Sequence, residues 1–212
     1  MDQINDIKKD ALKYFTGAKG CHAWDHTERV IQNCLHIGKK ENANLFVLEI
    51  AAILHDIKRP EEMNHEGKIC HATEGAKEAM KLLDKYDIKK EDLEAIYHCI
   101  ESHRKRNSIE PSTLEAKILF DSDKLDGIGA LGIGRMFMFA SEVGAKLHDK
   151  DVDVEKTKEY SEDDTAYREF LSKMQFVKDK MLTSEGKRMA KERHEFMVLF
   201  FERINKEVMG EL

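Results

Sequence analysis

The chain has 212 residues, with 41 acidic against 35 basic side chains, a formal net charge of −6 and two prolines. Its length suits one well-filled domain, and its acidic balance excludes broad, sequence-independent binding of nucleic acid. Few prolines among many Ala, Leu, Met, Glu and Lys favour an all-α protein, and neither a signal peptide nor an apolar run of bilayer length is visible, so a cytoplasmic protein without membrane contact is expected.

Helical periodicity recurs along the chain. A first helix is predicted from about Asp2 to Phe15, followed by the turn TGAKG, and a second from near Trp24 with Val30, Ile31, Cys34 and Leu35 on its apolar face. From Leu45 to Leu54 only Glu49 is polar, which predicts a helix buried on all sides. Pro60 should end that helix near Lys58, leaving His55 and Asp56 in its last turn. The polar stretch KRPEEMNHEGKIC reads as a loop long enough to fold over something. Two amphipathic stripes follow, Ala72 to Tyr86 and Leu93 to Ile100, the second continuing to His103. Ser112-Thr113-Leu114-Glu115 fits a capping box that starts the helix bearing DSDKLD. From Ser161 two further amphipathic helices are expected, the last entering at Thr183 and carrying FMVLFF, a run that can be core or pack against another subunit. No segment alternates with the period of a strand. Cys21, Cys34, Cys70 and Cys99 form no C-x-x-C pair, which argues against a zinc ribbon and suits free thiols in a reducing compartment.

Three of these helices place polar ligands where apolar residues would be expected: His26, the His55-Asp56 pair, and Asp121 or Asp123. A buried carboxylate is costly without a cationic partner. Two imidazoles and two carboxylates make a mixed nitrogen and oxygen set suited to a divalent Mn, Fe, Ni or Zn ion with positions left open for water or substrate. Arg29, one turn from His26, can offer a bidentate fork to phosphate. Spacing alone does not choose between Asp121 and Asp123.

These residues resemble the motifs of the HD-superfamily metal-dependent phosphohydrolases: His26 in WDHTERV, His55-Asp56 in AAILHDI, and Asp123 in DSDKLDGIGALGIGR. The last string is similar to the D-A-D-R-L-D-A-x-G-A-x-G-I-x-R segment of a subfamily of small bacterial and archaeal HD hydrolases. The tail MLTSEGKRMAKERHEFMVLFFERINKEV is similar to that subfamily's C-terminal helix, so the match covers nearly the whole chain. Ser122 and Lys124 depart mildly from the pattern, and FLSKM matches the subfamily's H-F-x-E-K-L only loosely. The resemblance implies one all-α HD-domain helical bundle over residues 1–212, with a core at about 20–135 and a C-terminal helical extension at about 136–212. It implies a divalent metal ion (Mn, Mg, Ni, Fe or Zn) on His26, His55, Asp56 and Asp123, and hydrolysis of a phosphate ester or anhydride, often of a nucleotide.

The remaining residues divide between function and structure. Asp56 can take a proton from the attacking water, with Lys124 or Asp126 orienting water or phosphate. Arg29, Lys58, His71, His103, Lys124 and Arg135 are expected to contact substrate phosphate. His71 and His103 are expected beside the same cleft as outer or phosphate-contacting groups, and a second metal is disfavoured because the adjacent His pair of binuclear HD proteins is missing. Lys58, Arg59, Arg104, Lys105 and Arg106 read either as a solvated face or as a basic rim to the cleft. His98 points away from the apolar stripe and is expected to be exposed. Gly127, Gly129 and Gly132 spell G-x-G-x-x-G, but no strand precedes them, so a dinucleotide site is rejected. The expected ligand is a small phosphorylated substrate, with no stable nucleic-acid complex and a homo-oligomer left open. The alternative is a noncatalytic module that keeps the metal to hold a nucleotide or signalling phosphate. A third option, an HD-type oxygenase, requires a binuclear iron site.

Overall fold

The computed structural model describes residues 2–16, 23–64, 70–104 and 109–212, and its described residues form helices and connecting turns with no strand. The all-α expectation is met. Cys21, His22, His65, Lys105 and Arg106 lie outside the described residues. The chain divides into two compact units, one of residues 1–123 with 182–186 and one of 124–181 with 187–212.

In the first unit α1 (Asp2–Leu12) continues into a 3-10 turn (Lys13–Phe15), followed by α2 (Trp24–Glu41) and α3 (Leu45–Leu54). Helix α2 stops at Asn42, whose left-handed backbone (φ 58°) lets the carbonyl of Gly38 take the next free N–H, from Ala43. Helix α3 starts where the Asn44 side chain accepts from the N–H groups of Phe46 and Val47. Its side chains Leu48, Ile50, Ile53 and Leu54 are fully buried, and it packs against α1, α2, α5 (His71–Leu83) and α6 (Lys90–Ser102). Truncating one of them, as in Leu48→Ala, would cost about 2–5 kcal/mol.

Helix α3 ends at Leu54, a turn earlier than proline alone implies, with His55 as its C-cap. A tight turn follows, closed by Arg59 N–H donating to the Asp56 carbonyl (2.8 Å), and Pro60 sits in the first turn of a new short helix, α4 (Arg59–Asn64). A helix's first turn has no use for the missing N–H, so the proline starts this helix as well as separating it from α3. The stretch read as a polar loop therefore begins with a helix. Helix α7 (Leu114–Leu125) is capped by Thr113, whose Oγ1 accepts from Ala116 N–H, and not by Ser112. Glu115, expected to complete a capping box, instead accepts from the N–H of Asn44. That exchange ties the start of α7 to the start of α3.

The second unit holds α8 (Gly129–Glu142), α9 (Ala166–Ser172), a 3-10 stretch (Met174–Lys180) and most of α10 (Ser184–Val208). Gly129 opens α8 at φ +78°, where a side chain would also run into Arg193, so glycine is required there by backbone and by space. Tyr167, Phe170 and Phe201 form its aromatic centre, with the Phe170 and Phe201 rings stacked at 4.7 Å. Arg168, 5% exposed, is held by Asp164 (2.8 Å) and by the Thr157 carbonyl. None of the described helices is long and apolar enough to cross a membrane.

Candidate metal centre

Helix ends bring the polar residues of the first unit together. His26 lies in the first turn of α2, His71 is the first residue of α5, His55 and His103 are the C-caps of α3 and α6, and Asp123 is near the end of α7. The last carbonyls of a helix have no intrahelical partner, and the two C-cap histidines use them. His55 Nδ1 lies 2.8 Å from the Ala52 carbonyl and His103 Nδ1 2.6 Å from that of Ile100. Each ring therefore keeps its proton on Nδ1 and turns a bare Nε2 inward. His71 is fixed in the same sense by Glu62, whose carboxylate lies 2.6 Å from Nδ1. Arg59 and Arg104 hold that carboxylate at 2.8 and 3.0 Å.

Asp56 lies among these rings. Its Oδ2 is 3.7 Å from His26 Nε2 and 3.8 Å from His55 Nε2, and its Oδ1 is 3.1 Å from His71 Nε2 and 3.7 Å from His103 Nε2. The nitrogens also face each other, His26 to His55 at 3.4 Å and His71 to His103 at 3.1 Å. Asp123 approaches His26 Nε2 at 3.3 Å. His26, His55, Asp56, His71 and His103 are all at most 4% exposed. Bare nitrogens and carboxylate oxygens facing one another in the dry interior repel unless a cation lies between them. Burial pushes the His55 imidazole down to about 4 and lowers that of His103, so protons do not serve at neutral pH. Burial pushes Asp56 up, and positive charge on His55, His103 and His71 outweighs it and holds the carboxyl well below the usual range; with these imidazoles neutral, that positive charge has to come from a metal cation. Neighbouring ligands of one ion with bonds of ~2.1 Å are about 3 Å apart, and the donor atoms of two groups, His26-His55-Asp123 and Asp56-His71-His103, converge closely enough to hold an ion each. The residues fit a divalent metal.

The structure separates the two acids that spacing could not. Asp121 is fully buried and accepts from the N–H groups of Leu182 and Thr183 at 2.9 and 2.8 Å and from the Thr183 hydroxyl at 2.7 Å. A side chain on Gly186 would strike this carboxylate. Asp121 therefore anchors the start of α10, while Asp123 faces His26. Asn33 donates to the Ser122 carbonyl (3.3 Å), fixing that turn of α7 against α2.

Other expected site residues are engaged locally. Arg29 pairs with Asp25 (2.7 Å) and Lys58 with Glu61. Arg59 and Arg104 are half-buried around Glu62 rather than forming a solvated face. His98 is half-buried and accepts from the Ser112 N–H (3.0 Å), which corrects the expectation of an exposed ring. Lys124, half-buried, and Arg135, paired at 2.6 Å with the buried Asp126, belong to the second unit. Sequence reading missed Glu62. Its only signal was an acid two residues after Pro60, in a charged stretch of the kind that surface helices share.

Comparison with known proteins agrees with this geometry. Residues 23–128 match the family model of the HD domain. The chain is 33% identical to the uncharacterized protein YpgQ of Bacillus subtilis, covering 99% of this chain and 96% of that one. A crystal structure of Bacillus subtilis YpgQ in complex with ADP superposes with a TM-score of 0.71 at 31% identity, over 97% of this chain and 95% of that chain. An HD-superfamily hydrolase from Bacillus thuringiensis superposes with a TM-score of 0.76 at 25% identity, over 97% and 96% of the two chains. The chain belongs to the HD domain family, a superfamily of metal-dependent phosphohydrolases.

Proposed function

We propose that this protein hydrolyses a phosphate ester or anhydride of a nucleotide, using a divalent ion held by His26, His55, Asp56 and Asp123. The observation that carries the reading is the buried Asp56 carboxylate, ringed by four imidazoles of which three have their Nδ1 side committed elsewhere. A divalent ion in such a site supplies Lewis acidity, lowering the pKa of water and polarising a phosphoryl oxygen. Asp56, buried beside the place where the ion would bind, is proposed to accept a proton from the attacking water. Arg29 and Lys58 supply positive charge for phosphate oxygens by exchanging their present carboxylate partners for substrate. Lys124, which follows Asp123 directly in α7, is proposed to orient the phosphate.

A nucleotide is favoured as substrate because the relative YpgQ has been crystallised with ADP. One specific feature favours a second ion: Asp56 Oδ1, His71 and His103 form a ligand group of their own, so two ions could share Asp56. The test is to strip the protein of metal and reload it in parallel with Mn²⁺, Mg²⁺, Ni²⁺, Zn²⁺ and Fe²⁺. Each form is then assayed against nucleoside mono-, di- and triphosphates and a generic phosphodiester. Turnover of one class with released phosphate or pyrophosphate is the expected result. Tight nucleotide binding with no turnover by any metal form would replace the enzyme by a metal-dependent binding module.

A further inference from the structure

Helix α10 buries Ala190, Met197 and Phe201 on one side. On another side lie Arg188, Glu192, Phe196, Leu199, Arg203 and Glu207, spaced at four, four, three, four and four residues and so forming one stripe. Phe196 and Leu199 at its centre are 48% and 62% exposed. Within the helix Arg188 pairs with Glu192 at 2.8 Å and Arg203 with Glu207 at 2.7 Å. Those pairs are satisfied in water and need no apolar centre between them.

The order along the stripe is basic, acidic, apolar, apolar, basic, acidic. Reversing the helix about its midpoint between Met197 and Val198 maps Arg188 onto Glu207, Glu192 onto Arg203 and Phe196 onto Leu199. Two such stripes laid antiparallel therefore place every charge against its opposite and apolar against apolar. Laid parallel in register, they would set like charges together.

We infer that this stripe is an isologous interface between two copies of this chain, with their α10 helices antiparallel about a twofold axis near Val198. A twofold interface requires a self-complementary surface, and the charge order supplies one. The neighbouring helix α8, whose Phe137 ring lies 6.1 Å from that of Phe200, exposes Leu131 and Met138, seven residues apart, as further apolar surface. A stripe about 30 Å long and ~10 Å wide belongs with the smaller specific interfaces, below ~1,200 Å² in total, so the dimer is dissociable.

Sedimentation velocity of the full chain over about 1–100 µM is expected to show a concentration-dependent dimer. Leu199→Glu, at a position 62% exposed and so free to fold, is expected to leave only monomer. Arg203→Glu sets two acids against each other across the axis and is expected to do the same. Adding Glu192→Arg to Arg203→Glu restores opposite charges across the axis and is expected to restore the dimer. A wild type that stays monomeric, a dimer that survives Leu199→Glu, or a charge swap that stays monomeric would each overturn the inference. Circular dichroism matching wild type establishes that each variant is folded.

Discussion

Two acids two residues apart on α7 should fail in opposite ways when neutralised. Asp121→Asn removes the charge that three donors share: the N–H of Leu182, and the N–H and hydroxyl of Thr183. Both Thr183 donors share Oδ2, so an amide with its oxygen there keeps them and turns its NH₂ toward the Leu182 N–H, leaving about one donor without an acceptor. At ~1–3 kcal/mol for the buried donor left unmade, plus a few tenths to ~1 kcal/mol from the lost charge at the start of α10, the loss is about 2–3 kcal/mol. With an m-value of ~2 kcal/mol/M this moves the urea midpoint by about 1–1.5 M. Asp123→Asn, 22% exposed and facing His26, should change the stability of the metal-free protein by less than ~1 kcal/mol and weaken metal affinity more than about 100-fold. Urea denaturation of the stripped proteins and calorimetric metal titration measure both quantities. If Asp121→Asn were as stable as wild type, or stayed stable yet lost the metal, the assignment of anchor and ligand would be reversed.

The pH dependence has a fixed sign. Burial takes His55 from 6.5 to about 4 on folding, so between those values the unfolded chain binds more protons and stability rises with pH. The contribution is fully present above about 6.5 and is lost as pH falls toward about 4; for His55 alone the metal-free protein should lose about 2 kcal/mol between pH 7 and pH 5. Urea midpoints in chelator at the two pH values test this, and equal midpoints would contradict a neutral buried imidazole. Glu62→Gln removes the charge that fixes the His71 ring, and should cut hydrolysis about 10–100-fold while leaving a folded protein; unchanged turnover would make Glu62 merely a support for Arg59 and Arg104.

The fold was legible where local pattern decides it. The apolar run from Leu45 to Leu54 had to be a buried helix, and Thr183 did mark the entry to α10. Helix ends were less readable, because capping depends on distant partners. Glu115 was drawn to Asn44, and Pro60 opened a helix that sequence pattern treated as loop. At the site, His26, His55, Asp56 and Asp123 were named from sequence, and their side chains do converge. Two features needed three dimensions. The closeness of His71 and His103 to Asp56 depends on α5 and α6 packing against each other, and the role of Asp121 depends on donors sixty-one and sixty-two residues away.

The central claim is that the Asp56 cluster holds a divalent ion, and the most direct measurement is metal content by mass spectrometry after equilibrium dialysis against Mn²⁺. Wild type, His55→Ala and Asp56→Ala would be compared, each checked for folding by circular dichroism. The account predicts at least one ion per wild-type chain, with two if His71 and His103 hold their own, little or none in Asp56→Ala, and one ion fewer than wild type in His55→Ala. Full retention of metal by folded His55→Ala or Asp56→Ala would place the ion elsewhere and contradict the account.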